Sequence, residues 1–203
     1  MPDSEKWAKA YDERRPLLDE LRNTLQKNAE EALEGVAHID RIAVRVKERD
    51  SFLKKAAKPH YSAPLVELED QVAGRVITFF RDDLETVRTR LVEWFNAVEH
   101  EVKKPENPSE FDYESDHYVF VIPAHLKPEG WSSVSEMPTT FELQVRTLFM
   151  HAWAEPQHDL GYKTADGVDL DPETKRELAW IAASAWGADK ALNDVAGRLI
   201  QSL

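Results

Sequence analysis

The chain has no cysteine. Disulfides, thiolate zinc centres and cysteine nucleophiles are therefore excluded, and the absence fits a reducing cytoplasm. No apolar run approaches the roughly 20 residues that span a bilayer, so no membrane role is expected. The N-terminus, Met1-Pro2-Asp3-Ser4-Glu5-Lys6, is polar and acidic, unlike a secretory signal. There is no internal repeat and no low-complexity tract. Positive charge is in deficit: 26 Lys and Arg stand against 38 Asp and Glu, a net charge of −12. Such a protein is poorly suited to non-specific contact with nucleic acid or anionic lipid. What is present, 203 residues with 42 % hydrophobic content, is enough for one domain with a real core and helical extensions.

The scarce cations are not evenly spread. Arg41, Arg45, Lys47, Arg49, Lys54, Lys55 and Lys58 fall within 18 residues. A solvated helix face explains such a run, and so does a cradle for a triphosphate. The segment Thr140-Phe141-Glu142-Leu143-Gln144-Val145-Arg146-Thr147 alternates apolar and polar side chains, the pattern of a half-buried strand. Phe141, Leu143 and Val145 would face a core. Glu142, Gln144 and Arg146 would line the other face, about 7 Å apart. Alone this is an ordinary amphipathic strand. It is also a carboxylate, an amide and a guanidinium on a rigid support, which suits phosphate chemistry.

A coarse pass along the chain places these segments. Residues 4 to about 34 predict helix, with Leu17, Leu18, Leu21 and Leu25 at helical spacing and Pro16 dividing it in two. A short strand is expected at Ile42–Val46, then a helix carrying Lys54 and Lys55. Residues 72–80 read as strand. The spacing of Leu84, Val87, Leu91, Trp94, Phe95 and Val98 predicts one helix over 83–102 with those residues on its buried side. Pro105 to Ser109 is loop, and His117 to Ile122, nearly all apolar, is a central strand. Asp171-Pro172-Glu173 opens a final amphipathic helix, with Asp171 as its cap. Strands and helices alternate unevenly, so the fold class expected is α+β: a sheet backed by helices.

Several short motifs occur in one order. Arg45-Val46-Lys47 is followed by Asp50-Ser51 and Lys54-Lys55. Asp70 precedes Arg75 by five residues, and Arg81-Asp82-Asp83-Leu84 follows the intervening strand. Tyr113-Glu114-Ser115-Asp116-His117 comes next, then the Glu142 strand, then Trp153-Ala154-Glu155 with His158 and Tyr162-Lys163. Each is weak alone; together, across residues 40 to 165, they resemble the synthetase domain of the RelA/SpoT family. The resemblance implies a nucleotidyltransferase-like mixed β-sheet flanked by helices. It divides the chain into an N-terminal helical extension (1–35), a synthetase core (36–165) and a C-terminal helical extension (166–203).

The resemblance also implies an activity. Family members move pyrophosphate from ATP to the 3′-OH of GDP or GTP. On that pattern Asp70 and Glu142 hold Mg²⁺, and Glu142 helps deprotonate the acceptor hydroxyl, which Gln144 orients. Arg45 and Arg75 sandwich the adenine. Lys47, Ser51 and either Lys54 or Lys55 belong to the ATP segment, with the lysines on the phosphates. Tyr113 stacks on the acceptor base, with Ser115 and His117 beside it, and Arg146 braces phosphate or a neighbouring acid. Blander roles exist: Asp70 as a turn cap, Arg146 in a buried ion pair, His117 as a strand-edge histidine. His158-Asp159 does not signal the family's hydrolase, which is a separate helical domain.

The chain departs from the family's pattern in one region. Typical members carry Lys-Asp-Tyr and then Pro-Lys-x-Asn-Gly-Tyr-Arg-Ser-Leu-His before the third strand. Here the stretch is Pro105 to His117, and Glu110, Asp112, Glu114 and Asp116 surround Tyr113. Four carboxylates beside a diphosphate repel it unless they point away. Ala73 also stands where glycine is usual. The donor half therefore matches and the acceptor half is altered. That leaves three readings: a guanine-nucleotide pyrophosphokinase, a toxin-like relative acting on an adenine nucleotide or the tRNA 3′ end (with an antitoxin as its partner), and a non-catalytic nucleotide-binding module. The net charge disfavours tRNA. The terminal helices are candidates for assembling copies of the chain.

Overall fold

The computed structural model describes residues 2–105, 107, 110–111, 115–164 and 170–200, of which 2–3, 157–164 and 200 are described by backbone only. Helix α1 (Pro2–Ala32) is followed by β1 (Ile39–Val46), α2 (Arg49–Ala56), a single turn α3 (Pro64–Glu67), β2 (Val72–Thr78), α4 (Asp83–Trp94), β3 (Ala97–Lys103), β4 (Ser115–Val121), β5 (Thr140–Thr147), α5 (Leu148–Thr164) and α6 (Pro172–Ile200). The strands form one mixed sheet in the order β1-β2-β5-β4-β3. Only β2 and β5 run parallel; the other pairs are antiparallel. The fold class is α+β, as the resemblance implied.

Residue alternation sorts the sheet into two faces. Val44, Val46, Val72, Val76, Tyr118, Phe120, Phe141, Leu143 and Val145 enter the core, with Leu18, Leu21 and Leu25 of α1 and Leu84, Val87 and Leu91 of α4. Phe95, Phe120 and Phe141 meet there with ring centroids 5.2–5.5 Å apart. Gly74 lies where β1, β2 and β5 crowd. A Cβ there would come within 2.6 Å of Leu143 Cδ2 and 3.0 Å of Val44 Cγ2, so any larger residue would have to push the Leu143 side chain aside. The other face carries Arg45, Ala73, Arg75, Glu142, Gln144, Arg146 and His117.

Two sequence expectations fail. Pro16 does not divide α1, which runs through it unbroken. An interior proline costs about 3 kcal/mol. Leu18, Leu21 and Leu25 are all buried to within 1 % of complete, and each such leucine returns about 1.5–3 kcal/mol. Burial of these leucines after the proline, and of Tyr11 before it, therefore outweighs the break.

The helix expected over 83–102 stops at Trp94. Phe95 turns to extended backbone and enters the core, while Trp94 is exposed. Residues Ala97–Lys103 form an edge strand instead, paired from Ala97↔Phe120 to Lys103↔Ser115. Val98 and Val102 sit at helical spacing from Leu91 and Trp94, which is why they read as helix. Both are exposed. An edge strand open on two faces carries no alternation to betray it, and pairing with β4 decides its conformation.

α1 also covers the other sheet edge. Gln26 accepts from the Val44 amide at 2.7 Å and donates to the Ile42 carbonyl at 2.9 Å, occupying backbone groups that an edge strand would leave open.

Candidate functional site

The end of β1 and the turn before β2 are locked together first. Tyr11 of α1 stacks on Phe52 with centroids 4.2 Å apart and donates to the Lys47 carbonyl at 2.6 Å. The Lys47 amide donates to the Gln71 carbonyl at 2.8 Å. Gln71 is fully buried and its side-chain amide donates to Leu65 and Leu68 carbonyls. This backbone frame fixes the side chains on either side of it, Lys47 and Asp70.

Asp70 sits in the short turn before β2, not in the strand itself. Its Oδ2 pairs with Lys47 Nζ at 2.6 Å and with Lys55 Nζ at 3.0 Å. Burial alone would raise the Asp70 carboxyl; the two ammonium groups and their hydrogen bonds overcome this and hold it below the ordinary carboxylate range. Burial acts to lower Lys55, but Asp70 outweighs it and the ammonium is held more firmly. Lys55 is the lysine turned into the site; Lys54 is exposed.

Glu142 lies across from this cluster, its backbone paired with Ala73. Gln144 Nε2 donates to Glu142 Oε1, and Arg146 donates to Gln144 Oε1, so the alternating face of β5 is a hydrogen-bonded row. His117 of β4 is paired in register with Gln144, and its Nδ1 lies 3.5 Å from Glu142 Oε1. Burial lowers the His117 pKa despite the nearby carboxylate, so the ring is neutral at pH 7. Ser115 is buried on the same strand, and its hydroxyl has no hydrogen-bond partner.

A hollow of about 70 Å³ adjoins this row, lined by Ala43, Arg45, Ala73, Gly74, Arg75 and Gln144. Arg45 and Arg75 stand on adjacent strands, diagonal to one another in the register. Arg75 is held by Glu155 of α5 at 2.9 Å. Ser51 lies half-buried in α2. Tyr113, Asp112 and Glu114 lie outside the described residues, as do the side chains of His158, Tyr162 and Lys163.

The carboxylates of the altered loop do not all face the site. Asp116 is buried on the core side of β4, where Arg88 of α4 donates to it and His100 Nε2 lies 3.3 Å away. His100 in turn stacks on Tyr118 at 4.2 Å. Neither Arg88 nor His100 was legible in the sequence, because both reach Asp116 through tertiary packing.

Glu69 is another residue that sequence reasoning passed over. Burial raises its pKa, and repulsion from Glu99 and Glu142 adds to the shift. A carboxyl raised in the folded state favours folding while protonated, and that advantage is lost as pH rises through its native value. Glu69→Gln should therefore raise the melting temperature at neutral pH in metal-free buffer. The gain should vanish near the ordinary Glu value, where wild type is protonated too. A melting-temperature difference that does not change with pH would refute this account.

A Mg²⁺ site passes a first test of fit. Asp70 Oδ1 is buried and accepts no hydrogen bond, leaving one oxygen open for a ligand. Among the described residues no three acids or imidazoles form a complete cage. Mg²⁺ does not need one: it commonly takes one or two carboxylates and fills its shell with phosphate oxygens and water.

Comparison with known proteins agrees with this architecture. The family model described as "Region found in RelA / SpoT proteins" matches residues 44–167. The chain belongs to the RelA/SpoT family. It is 28 % identical to GTP pyrophosphokinase YjbM of Bacillus subtilis over 204 aligned positions, covering 97 % of this chain and 92 % of that protein. The crystal structure of small alarmone synthetase 1 from Bacillus subtilis superposes with a TM-score of 0.73 at 25 % identity, covering 97 % of this chain and 99 % of that one. A GTP pyrophosphokinase family protein from Streptococcus pneumoniae has the same fold, with a TM-score of 0.66 at 22 % identity over 97 % and 96 % of the two chains. Among the described residues of this family member, no helix is long and apolar enough to cross a membrane.

Proposed function

We propose that this protein is an ATP-dependent pyrophosphokinase that moves the β,γ-pyrophosphate of ATP to the 3′-OH of GDP or GTP, releasing AMP. The observation that carries the proposal is Asp70, clasped by Lys47 and Lys55 with its second oxygen open, across from Glu142 and beside the arginine-lined hollow. Membership of the RelA/SpoT family and similarity to a GTP pyrophosphokinase support it.

In this reading the adenine enters between Arg45 and Arg75, whose flat cations suit a flat ring. Lys47 and Lys55 turn from Asp70 to the phosphates, with Ser51 on the adjoining helix. Asp70 and Glu142 would hold Mg²⁺, which when bound neutralises triphosphate charge. Glu142 takes the proton of the acceptor hydroxyl, which Gln144 orients. Neutral His117 beside Glu142 can hydrogen-bond to the acceptor ribose without adding positive charge. Ser115 offers a hydroxyl on the same strand, Tyr113 stacks on the acceptor base, and Arg146 anchors Gln144.

Asp116 supports the guanine-nucleotide acceptor over a changed one, because its charge faces Arg88 on the other side of the sheet and not the incoming diphosphate. Trp180, Ile181, Leu192, Val195 and Leu199 of α6 are exposed, which supports assembly of copies of this chain through that helix.

The test uses purified protein, Mg²⁺ and γ-labelled ATP with GDP, GTP, AMP, ADP, ATP and bulk tRNA in separate reactions. Label on a guanine nucleotide is expected. Label on an adenine nucleotide or tRNA would make the protein a toxin-like relative. ATP binding without label on any acceptor would favour a non-catalytic module.

A further inference from the structure

Glu155 stands near the middle of α5, yet it reaches back to the sheet. Its Oε2 lies 2.9 Å from Arg75 Nη1 on β2. Its Oε1 lies 3.8 Å from Arg146 Nη1 on β5 and 3.8 Å from His151 Nδ1 one turn earlier on α5. One carboxylate thus bridges two arginines on neighbouring parallel strands. Arg146 continues through Gln144 to Glu142. The result is an unbroken polar row from the hollow beside Arg45 to the acid next to His117.

We infer that Glu155 is the positioning residue for the donor base: it holds the Arg75 guanidinium by its edge so that a face is presented to the hollow. This rests on the reading of that hollow as the ATP site. A guanidinium stacks through its face and forms hydrogen bonds through its edge. Arg75 is about 30 % exposed and would otherwise sample many rotamers. Fixing its edge in advance removes the entropy cost of ordering it when the ring arrives.

The pair's place on the surface argues for positioning over stability. Glu155 is 43 % exposed, and ion pairs so accessible to solvent contribute little to folding. Arg146 is different: it is buried to 3 % exposure and already bonded to Gln144, so it keeps a partner when Glu155 is removed. Loss of Glu155 should therefore act mainly through Arg75. His151 does not substitute for the carboxylate. Burial lowers its pKa, so at neutral pH it brings no charge to either arginine.

The experiment measures equilibrium binding of a non-hydrolysable ATP analogue with Mg²⁺ to the full chain, for wild type, Glu155→Ala, Glu155→Gln, Arg75→Ala and the double variant Glu155→Ala/Arg75→Ala. Melting temperatures are recorded alongside. Wild type should bind. Glu155→Ala should weaken binding about 10-fold, with the melting temperature little changed, and Glu155→Gln, which can still accept a hydrogen bond, should lose less. In the Arg75→Ala background the further loss of Glu155 should change affinity by less than 2-fold, because the residue it acts through is gone.

Equal losses in both backgrounds would overturn the inference, as would normal binding by Glu155→Ala. Failure of wild type to bind any adenine nucleotide would overturn the donor-site reading itself, and the inference with it. If Glu155→Ala fails to fold, the comparison of Glu155→Gln with Glu155→Gln/Arg75→Ala decides by the same criterion.

Discussion

Asp70→Asn and Glu142→Gln should each lower pyrophosphoryl transfer by about 1,000-fold or more while leaving the chain folded. Both changes keep the shape of the side chain and remove its charge. Phosphoryl-group transfer depends on positioning and on neutralising the triphosphate, and asks little else of the protein. The two carboxylates come from different parts of the chain, Asp70 from the turn before β2 and Glu142 from β5, and parallel pairing of those strands brings them together. Losing either one leaves a half site. For Glu142 the effect is compounded, because Gln144 and His117 both lean on it.

The variants should also separate in stability. Asp70 is held below the ordinary carboxylate range by Lys47 and Lys55, against the effect of burial. A carboxyl depressed in the native state stabilises the fold above its unfolded pKa, and this is lost as pH falls through the native value. In metal-free buffer Asp70→Asn should therefore melt below wild type at neutral pH, and the gap should close on acidification. Turnover by transfer of label from γ-labelled ATP and melting followed by circular dichroism are the two measurements. Near-normal turnover in both variants would remove Asp70 and Glu142 from the chemistry.

How far the sequence carried this site depends on where the signal is local. Phe141 to Arg146 alternates so regularly that both its core face and its polar face were legible. The grouping of Arg45, Lys47, Asp70 and Arg75 was equally legible, because they lie in or beside β1 and β2, which pair antiparallel. β3 was not, because Val98 and Val102 continue the helical spacing of α4 and only the pairing with β4 overrides it. The unbroken course of α1 was hidden for the opposite reason: Pro16 is a strong local signal, and burial of the leucines that follow it is a tertiary effect. The direction of the Asp116 carboxylate could not be read either. Alternation put it on one face or the other, but its partners, Arg88 and His100, lie on α4 and on the unrecognised strand. Glu155 stood in a recognised motif, yet its reach to Arg75 and Arg146 requires α5 to fold back over β2 and β5.

Arg14→Met should destabilise the protein by about 3–5 kcal/mol, the largest loss expected of any single change outside the hydrophobic core. Arg14 is 1 % exposed, on a helix whose other charged residues face solvent or pair near the surface. Its guanidinium donates to four carbonyls: Ala10 at 3.0 Å, Leu65 at 3.1 Å, Glu136 at 2.8 Å and Ser135 at 3.2 Å. Three of these lie in segments without regular structure or at a single turn, where no backbone amide is placed to take over. Glu136 is also held at a positive φ of 57°, a conformation that non-glycine residues adopt only under constraint. Methionine fills much of the volume and donates nothing, so the Ser135 and Glu136 carbonyls lose their donor together, while Leu65 keeps Gln71. Lysine keeps the charge but cannot reach them as a fork, and Arg14→Lys should recover less than half of the loss. For a chain of this length the melting temperature of Arg14→Met should fall by roughly 10 °C. The segment released leads straight into β5, so the variant should lose transfer activity in parallel with its folded fraction and regain it on cooling. A melting temperature within about 2 °C of wild type would mean that water satisfies these carbonyls and that the clamp contributes little.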